Sequence, residues 1–397
     1  MTRRLILALL LAAARDSVAA QQADSVRTTT LAPGVTHVRL VRNDGPWVIH
    51  VLRADLRRAD VAVRQVRAHD RLTSRERVSA MAARRAAAGE QVIAAVNADF
   101  FDLATGTSEN NVVIDGEWWR GIRLTDSPYD TFDNIHAQFA LDSDRRPLLG
   151  RFAFDGWVRT PRASFPLIAL NAMPKGTYEG TALWTPRAGP TTPTDTVRPT
   201  AELSLAPAGR RADTVLYVRR SASRGGGSAI PPDGVVLAAY GARTVALDST
   251  ADGDTLRVTL GAAPWPASAR AALPSLVIGG WPRILLDGVS VAGRASAEEG
   301  TISRNAEVRH PRTAIGVTRD RTSLLLVTVD GRSAASVGMT LVELAEFMKT
   351  LGAWNALNFD GGGSTTMVIG DRVVNTPSDR TGEREVGSAL FIMKRGR

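Results

Sequence analysis

The 397-residue chain contains no cysteine. Disulfides, structural thiolate zinc and cysteine nucleophiles are excluded together, so stability must come from packing. Lysine is nearly as scarce: Lys175, Lys349 and Lys394 are the only ones, and the formal charge of +9 is almost wholly arginine. Aromatic residues are few, with four tyrosines and ten phenylalanines, and no basic stretch is interleaved with them. Nucleic acid is therefore not expected as a partner, because single strands are gripped by stacked rings beside a basic groove. An arginine surplus suits anionic glycans or phosphates. The five histidines, His37, His50, His69, His136 and His310, are dispersed without metal-ligand spacing, and no Gly-x-Ser-x-Gly elbow points to a serine hydrolase. No metal or cofactor is expected, and a calcium ion near the carboxylates has no support in their spacing.

Long apolar runs are missing too, except at the start. Arg3 and Arg4 precede an apolar run from Leu5 to Ala14, and Ser17-Val18-Ala19-Ala20 offers small residues for cleavage. This is the pattern of a secretory signal peptide over 1–20, cut after Ala20. Its loss removes Arg3, Arg4, Arg15 and Asp16 and leaves a charge of +7. No later segment approaches the ~18 apolar residues of a membrane span. An exported protein, periplasmic or extracellular, is expected; the oligomeric state is not legible.

What is present is a chain that is 44% hydrophobic and long enough for a large core. Residues 21–90 read as a lead: a first strand, a hairpin over 46–66, and a helix from Thr73 to Ala88 closed by Gly89. Gln91 to Val96 is a buried strand running into Asn97-Ala-Asp99-Phe100-Phe101. Strand-like runs follow, turning at Asp115-Gly116 and Asp287-Gly288. They include Gln138 to Leu141, Thr214 to Val218, Val235 to Ala239 and Val258 to Leu260. Trp118, Trp119 and Trp157 could line a sugar site, although indoles more often serve packing. Residues 189–199 are a Thr- and Pro-rich loop. Thr340-Leu-Val-Glu343 fits a capping box, and Leu341, Leu344, Ala345, Met348 and Leu351 recur at helical spacing until Gly352.

The stretch after that helix carries the strongest chemistry. Trp354 to Phe359 reads as a buried strand, Thr365 to Ile369 as its neighbour, and Asp360-Gly361-Gly362-Gly363-Ser364 lies between them. Three glycines permit positive φ and let a ligand approach bare amides. Asp-Gly-Gly is equally the grammar of a hairpin turn. No Lys follows the glycines and no helix opens after them, so this is no nucleotide phosphate loop. Asn358-x-Asp360 repeats Asn97-x-Asp99 at a second strand end, and the period of two puts each pair on one face. The two ends are expected to be lips of one cleft.

Five motifs occur in order: Asn97-x-Asp99-Phe-Phe, His310-Pro-Arg312-Thr-Ala-x-Gly316, Asp330-Gly-Arg332, Asn358-x-Asp360-Gly-Gly-Gly-Ser364-Thr, and Asn375-x-Pro377-Ser378 with Glu383-Arg384. Each is weak alone, but the ordered set, over about Gln91 to Met393, resembles the phosphodiester glycosidase family. The resemblance implies hydrolysis of a sugar from a sugar-1-phosphodiester and leaves the glycan open. An oxocarbenium-like transition state needs a carboxylate, and Asp360 and Asp99 are the candidates. The leaving phosphate is already anionic, so Arg312 is expected to act with them, neutralising charge by a bidentate contact. Substrate binding is assigned to Asn97, Phe101, Asp330, Arg332, Asn358, Gly361, Gly362, Gly363, Ser364, Thr365 and Arg384, and the partner to a phosphorylated carbohydrate. A non-catalytic protein that binds or assembles an anionic exopolysaccharide is the alternative. The expected fold is α+β, a mixed, strand-rich catalytic domain over 91–397 with few helices, preceded by the 21–90 lead.

Overall fold

A computed structural model describes residues 25–125, 127, 130–174, 179–211, 214–264 and 274–395. The expected leader, 1–20, lies outside them. The chain divides into two compact units that do not follow chain order. One comprises the chain up to Arg64 with Glu76–Ala98 and Trp281–Arg397; the other comprises Gln65–Arg75 and Asp99–Gly280. Among the described residues no helix is long and apolar enough to cross a membrane.

The first unit holds two sheets. The larger runs Ser25–Ala32, Val35–Arg42, Trp47–Asp55, Ser323–Val329, Arg312–Thr318, Ala353–Phe359, Arg283–Leu286 and Val289–Ser290, in that spatial order and antiparallel. The lead expected as a separate element therefore supplies three strands of the sheet whose centre comes from the C-terminal third. The smaller sheet runs Arg372–Val373, Met367–Ile369, Gln91–Asn97, Ser388–Lys394 and Val61–Arg67.

Two helices of ten residues each accompany these sheets, and the sequence defines both. Val78–Ala87 buries Val78, Met81 and Ala82 at helical spacing. Leu341–Thr350 has the expected capping box: the Glu343 amide donates to Thr340 Oγ1 at 3.1 Å and the Thr340 amide donates to Glu343 Oε2 at 2.8 Å. Leu341, Leu344, Ala345 and Met348 then join Ala314, Leu325, Val327 and Ala356 in one core. Gly316 sets how close that helix lies: a Cβ there would sit 2.5 Å from Met348 Cε.

The second unit is built on a thirteen-stranded sheet. Its pairings are antiparallel apart from Ala169–Leu170 with Gly180–Trp184. The longest hairpin joins Thr200–Arg211 to Thr214–Arg224. Phe154, Leu167, Leu183, Leu203, Leu237 and Val277 lie in its core. At Asp115-Gly116 φ is 51° and 80°, and at Asp287-Gly288 in the first unit it is 50° and 79°, the left-handed pairs that match hairpin twist. Strand dominates throughout, and α+β fits only loosely.

Removing the cap should act on the first unit through one helix. Thr340→Ala is expected to lower stability by about 1 kcal/mol in urea unfolding. A change indistinguishable from zero would show that tertiary packing alone fixes that terminus.

Candidate functional site

The glycine stretch turned out not to be a hairpin. Ala353–Phe359 lies in the larger sheet of the first unit and Met367–Ile369 in the smaller, so residues 360–366 cross from one sheet to the other. A short 3₁₀ turn at Gly362–Ser364 replaces the expected tight turn.

One side chain holds the crossing in place. Asn97, 0% exposed at the end of Gln91–Asn97, donates from Nδ2 to the Asp360 carbonyl at 2.6 Å. Its Oδ1 accepts from the Thr313 hydroxyl at 2.7 Å and the Thr366 amide at 3.0 Å. The Asp360 amide donates to the Ala98 carbonyl at 3.1 Å. Asn97 and Asp360 are therefore joined as the two strand ends suggested, but Asn97 serves the backbone and is closed to a ligand. Asn358 is buried likewise and donates from Nδ2 to the Trp281 carbonyl at 2.8 Å.

Each glycine has a neighbour that a methyl group would meet. At Gly361 a Cβ would lie 2.7 Å from the Pro311 carbonyl oxygen. Gly362 has φ of 60°, and its Cβ would lie 3.0 Å from Arg332 Nη2. At Gly363 a Cβ would fall 2.1 Å from Asp379 Oδ1 and 2.2 Å from Arg384 Nη2. The Gly362 amide donates to Pro311 at 2.9 Å, so it is not an open donor. The glycines make room for guanidinium groups lying on the backbone.

The arginines differ sharply in their surroundings. Arg312, 5% exposed, donates to the backbone carbonyls of Met339 (2.7 Å), Asn305 (2.7 Å) and Val308 (2.9 Å). Burial pulls its pKa down to about 10. It ties three segments together, with Nε and Nη2, the donors expected to face a phosphate, turned to backbone carbonyls. Arg332 is exposed, with φ of 61°; its Nη1 donates to the Ser378 hydroxyl at 3.3 Å and, among the described residues, it pairs with no carboxylate. Arg384 grips Asp379 with Nε at 2.7 Å and Nη2 at 3.1 Å, and its Nη1 donates to Ser364 Oγ at 3.4 Å.

The loop carrying Ser378 and Asp379 is itself anchored. Asp330, 3% exposed, accepts the Thr376 amide at 3.0 and 3.1 Å, and Asn375 donates to the Thr365 carbonyl at 3.0 Å while accepting the Met367 amide at 2.7 Å. Burial raises the Asp330 pKa, opposed by the Thr376 amide. Asp330 is thus a support. Thr313 and Ser378 stand in the ordered motifs without an assigned role, and Asp379 was not among the sequence candidates.

Asp99 and Phe101 belong to the second unit. Phe101 is buried and bridges Ser108 through its backbone, a packing role. Asp99, 1% exposed, accepts from Asn110 Nδ2 at 2.7 Å through Oδ1, while Oδ2 accepts no hydrogen bond among the described residues. Burial pushes its pKa up to about 6, with Asn110, Arg67, Ser108 and His136 pulling it back. Gly279 leaves the room: a Cβ there would sit 2.2 Å from Asp99 Oδ1. Trp118 and Trp119 are buried and Trp157 is half exposed, so two of the three indoles are core residues.

Two predictions test this geometry. Gly363→Ala should cost about 1–3 kcal/mol in urea unfolding, whereas Gly293→Ala, which meets nothing, should be neutral. Equal effects would mean that Asp379 and Arg384 do not pack on the loop. For Asp99 the folded-state pKa lies above the ordinary value, so its contribution is fully present below about pH 4 and is lost as pH rises through 6. Relative to Asp99→Asn, the parent chain should lose on the order of 2 kcal/mol between pH 4 and pH 8. Parallel pH profiles would show that Asp99 titrates normally.

Comparison with known proteins covers both fold and sequence. A protein of unassigned function from Synechocystis superposes with a TM-score of 0.73 at 22% identity, covering 94% of this chain and 64% of that one. An exported-protein candidate from Burkholderia pseudomallei gives 0.65 at 24%, covering 88% and 74%. In sequence, a prophage-derived uncharacterized protein of Bacillus subtilis is 41% identical over 85 residues. The N-acetylglucosamine-1-phosphodiester alpha-N-acetylglucosaminidase of Mus musculus is 39% identical over 82. These matches take in 21% of this chain and only 13% and 16% of the relatives' own lengths. Residues 212–393 match the family model described as phosphodiester glycosidase, and it is this family that the chain resembles.

Proposed function

We propose that this chain is an exported hydrolase that releases a sugar from a sugar-1-phosphodiester in a glycan or cell-envelope polymer. The observation that carries the reading is Arg332: an exposed guanidinium without a carboxylate partner among the described residues, lying over Gly362 beside Ser378. Guanidinium presents a planar fork of donors suited to two phosphate oxygens, and it cannot lose its charge. Arg384 and the Ser364 hydroxyl add donors on the same side of the glycines. The left-handed backbone at Arg332 is the kind of strain that persists where surrounding structure enforces it, often at functional sites.

Asp360 follows the Ala353–Phe359 strand directly and is half buried. Its carboxylate is assigned to the sugar's anomeric carbon, as base or nucleophile, while the arginines stabilise charge on the departing phosphate. Because that leaving group is a stable anion, strong protonation of it matters less than charge neutralisation. The N-acetylglucosamine substrate class comes from the mouse relative's name and is proposed for this chain on that basis.

The test is release of free N-acetylglucosamine from UDP-N-acetylglucosamine or another N-acetylglucosamine-1-phosphodiester. Turnover is expected, with neutral aryl glycosides poor substrates; binding without turnover would leave the alternative, an anionic exopolysaccharide-binding protein. Arg332→Gln should lower kcat/KM about 10- to 100-fold, the worth of one charge-assisted contact. Asp360→Asn should abolish turnover with the circular dichroism spectrum unchanged. Rates near those of the parent in either variant would remove that residue from the mechanism.

A further inference from the structure

We propose that the outer face of the second unit's large sheet is a docking surface for a linear polysaccharide with a carboxylate on each ring. This goes beyond the hydrolytic reading and does not rest on it, because every residue involved lies within Asp99–Gly280. The face forms where Ala153–Arg159 pairs with Thr255–Ala263, which pairs in turn with Thr214–Arg224. Val158, Leu256 and Val258 point into the core. The period of two therefore turns Trp157, Arg159 and Arg257 outward.

The charges on this face run against ordinary sheet practice. Arg159 and Arg257 stand directly opposite each other in the register, and both are exposed. Like charges so placed repel, whereas opposite charges there stabilise a sheet. Neither guanidinium has a carboxylate partner among the described residues. Asp155 is the only carboxylate at the outward positions of these two strands, and it is paired with Arg123 at 3.6 Å. Trp157, two residues from Arg159 on the same side, is 42% exposed. Trp and Arg are the side chains that most often anchor a bound partner. Across the strands from Trp157 come Thr259, then Thr214, then Arg211, a third exposed arginine without a carboxylate partner among the described residues. That row spans three strand spacings, roughly 14 Å. Gly209, where an added Cβ would meet nothing, keeps the ground beside Arg211 open. A sugar ring lays its apolar C–H face on an indole, threonine hydroxyls meet its hydroxyls, and guanidinium groups take carboxylates that recur along the polymer. Nucleic acid fits less well, because one indole offers no ladder for successive bases.

The experiment is calorimetric titration of the full chain with polygalacturonate, with the same polymer methyl-esterified, and with polyphosphate. Polygalacturonate is expected to bind the parent and Arg332→Gln alike, since the glycine-loop residues take no part. The ester keeps the rings and loses the charges, so it should bind about tenfold more weakly. Changing Arg159→Gln and Arg257→Gln together relieves a like-charge contact, which leaves the fold intact, and should erase that preference. Trp157→Ala should weaken both sugar polymers about tenfold, the worth of one stacked ring, and leave polyphosphate unaffected. No heat with polygalacturonate, a preference that survives the double change, or binding lost in Arg332→Gln would each overturn the proposal. Polyphosphate binding as tightly as polygalacturonate, with Trp157→Ala without effect on either, would make the face an unselective anion patch and overturn it equally.

Discussion

The first unit depends on one buried carboxamide. The carboxamide of Asn97 donates to the Asp360 carbonyl and accepts from the Thr313 hydroxyl and Thr366 amide at once without carrying charge. An aspartate at that position would face the Asp360 carbonyl with two acceptors, and an alanine would leave buried polar groups unpaired, which costs more than the hydrogen bonds are worth. The three bonds join the ends of strands from different sheets, so the backbone of Asp360 cannot shift without breaking them. Every group placed around the glycines inherits its position from this clip.

Given that fixed backbone, the glycines set what can lie on it. A Cβ at Gly362 or Gly363 would take the place of a guanidinium nitrogen or of the Asp379 carboxylate. The four arginines of this region look alike in sequence and differ through burial alone. Arg309 is exposed and pairs with Glu343; Arg312 is buried and donates from Nε and Nη2 to three carbonyls; Arg384 is half buried and held by Asp379; Arg332 has no carboxylate among the described residues. A buried guanidinium must satisfy its donors within the protein, so the most deeply placed arginine is the one least able to serve a ligand.

Features that arise from local physics were legible in the sequence. The capping box at Thr340 and Glu343, the apolar stripe from Leu341 to Met348, the buried strand ending at Asn97 and the Asp-Gly turns all follow from periods and turn chemistry within a dozen residues. What failed to show was set by distant partners. Within the run from Thr365 to Ile369 only Met367–Ile369 is strand, and its neighbour is Gln91–Asn97 and not the strand preceding the glycines. Thr200–Arg211 left no clear alternation because its far half is exposed on both faces, and Thr214–Arg224 extends six residues past the apolar run that marked it. Arg312 and Asn97 carry the chemistry expected of a site; only their burial shows that backbone groups receive it.

The pairing of Asp379 with Arg384 bears on how an anion can be held. An isolated guanidinium on a loop has many rotamers, and binding must restrict them at a cost of roughly 0.5–1.5 kcal/mol per side chain. Asp379 fixes Arg384 in advance through two hydrogen bonds, and Gly363 lets the pair rest on the backbone. Its cost is electrostatic, because the carboxylate offsets the attraction of the cation it orients. Arg332 has the opposite balance, with its full charge available and only Ser378 to steady it. The two are complementary. In the proposed site one guanidinium would supply direction and the other charge.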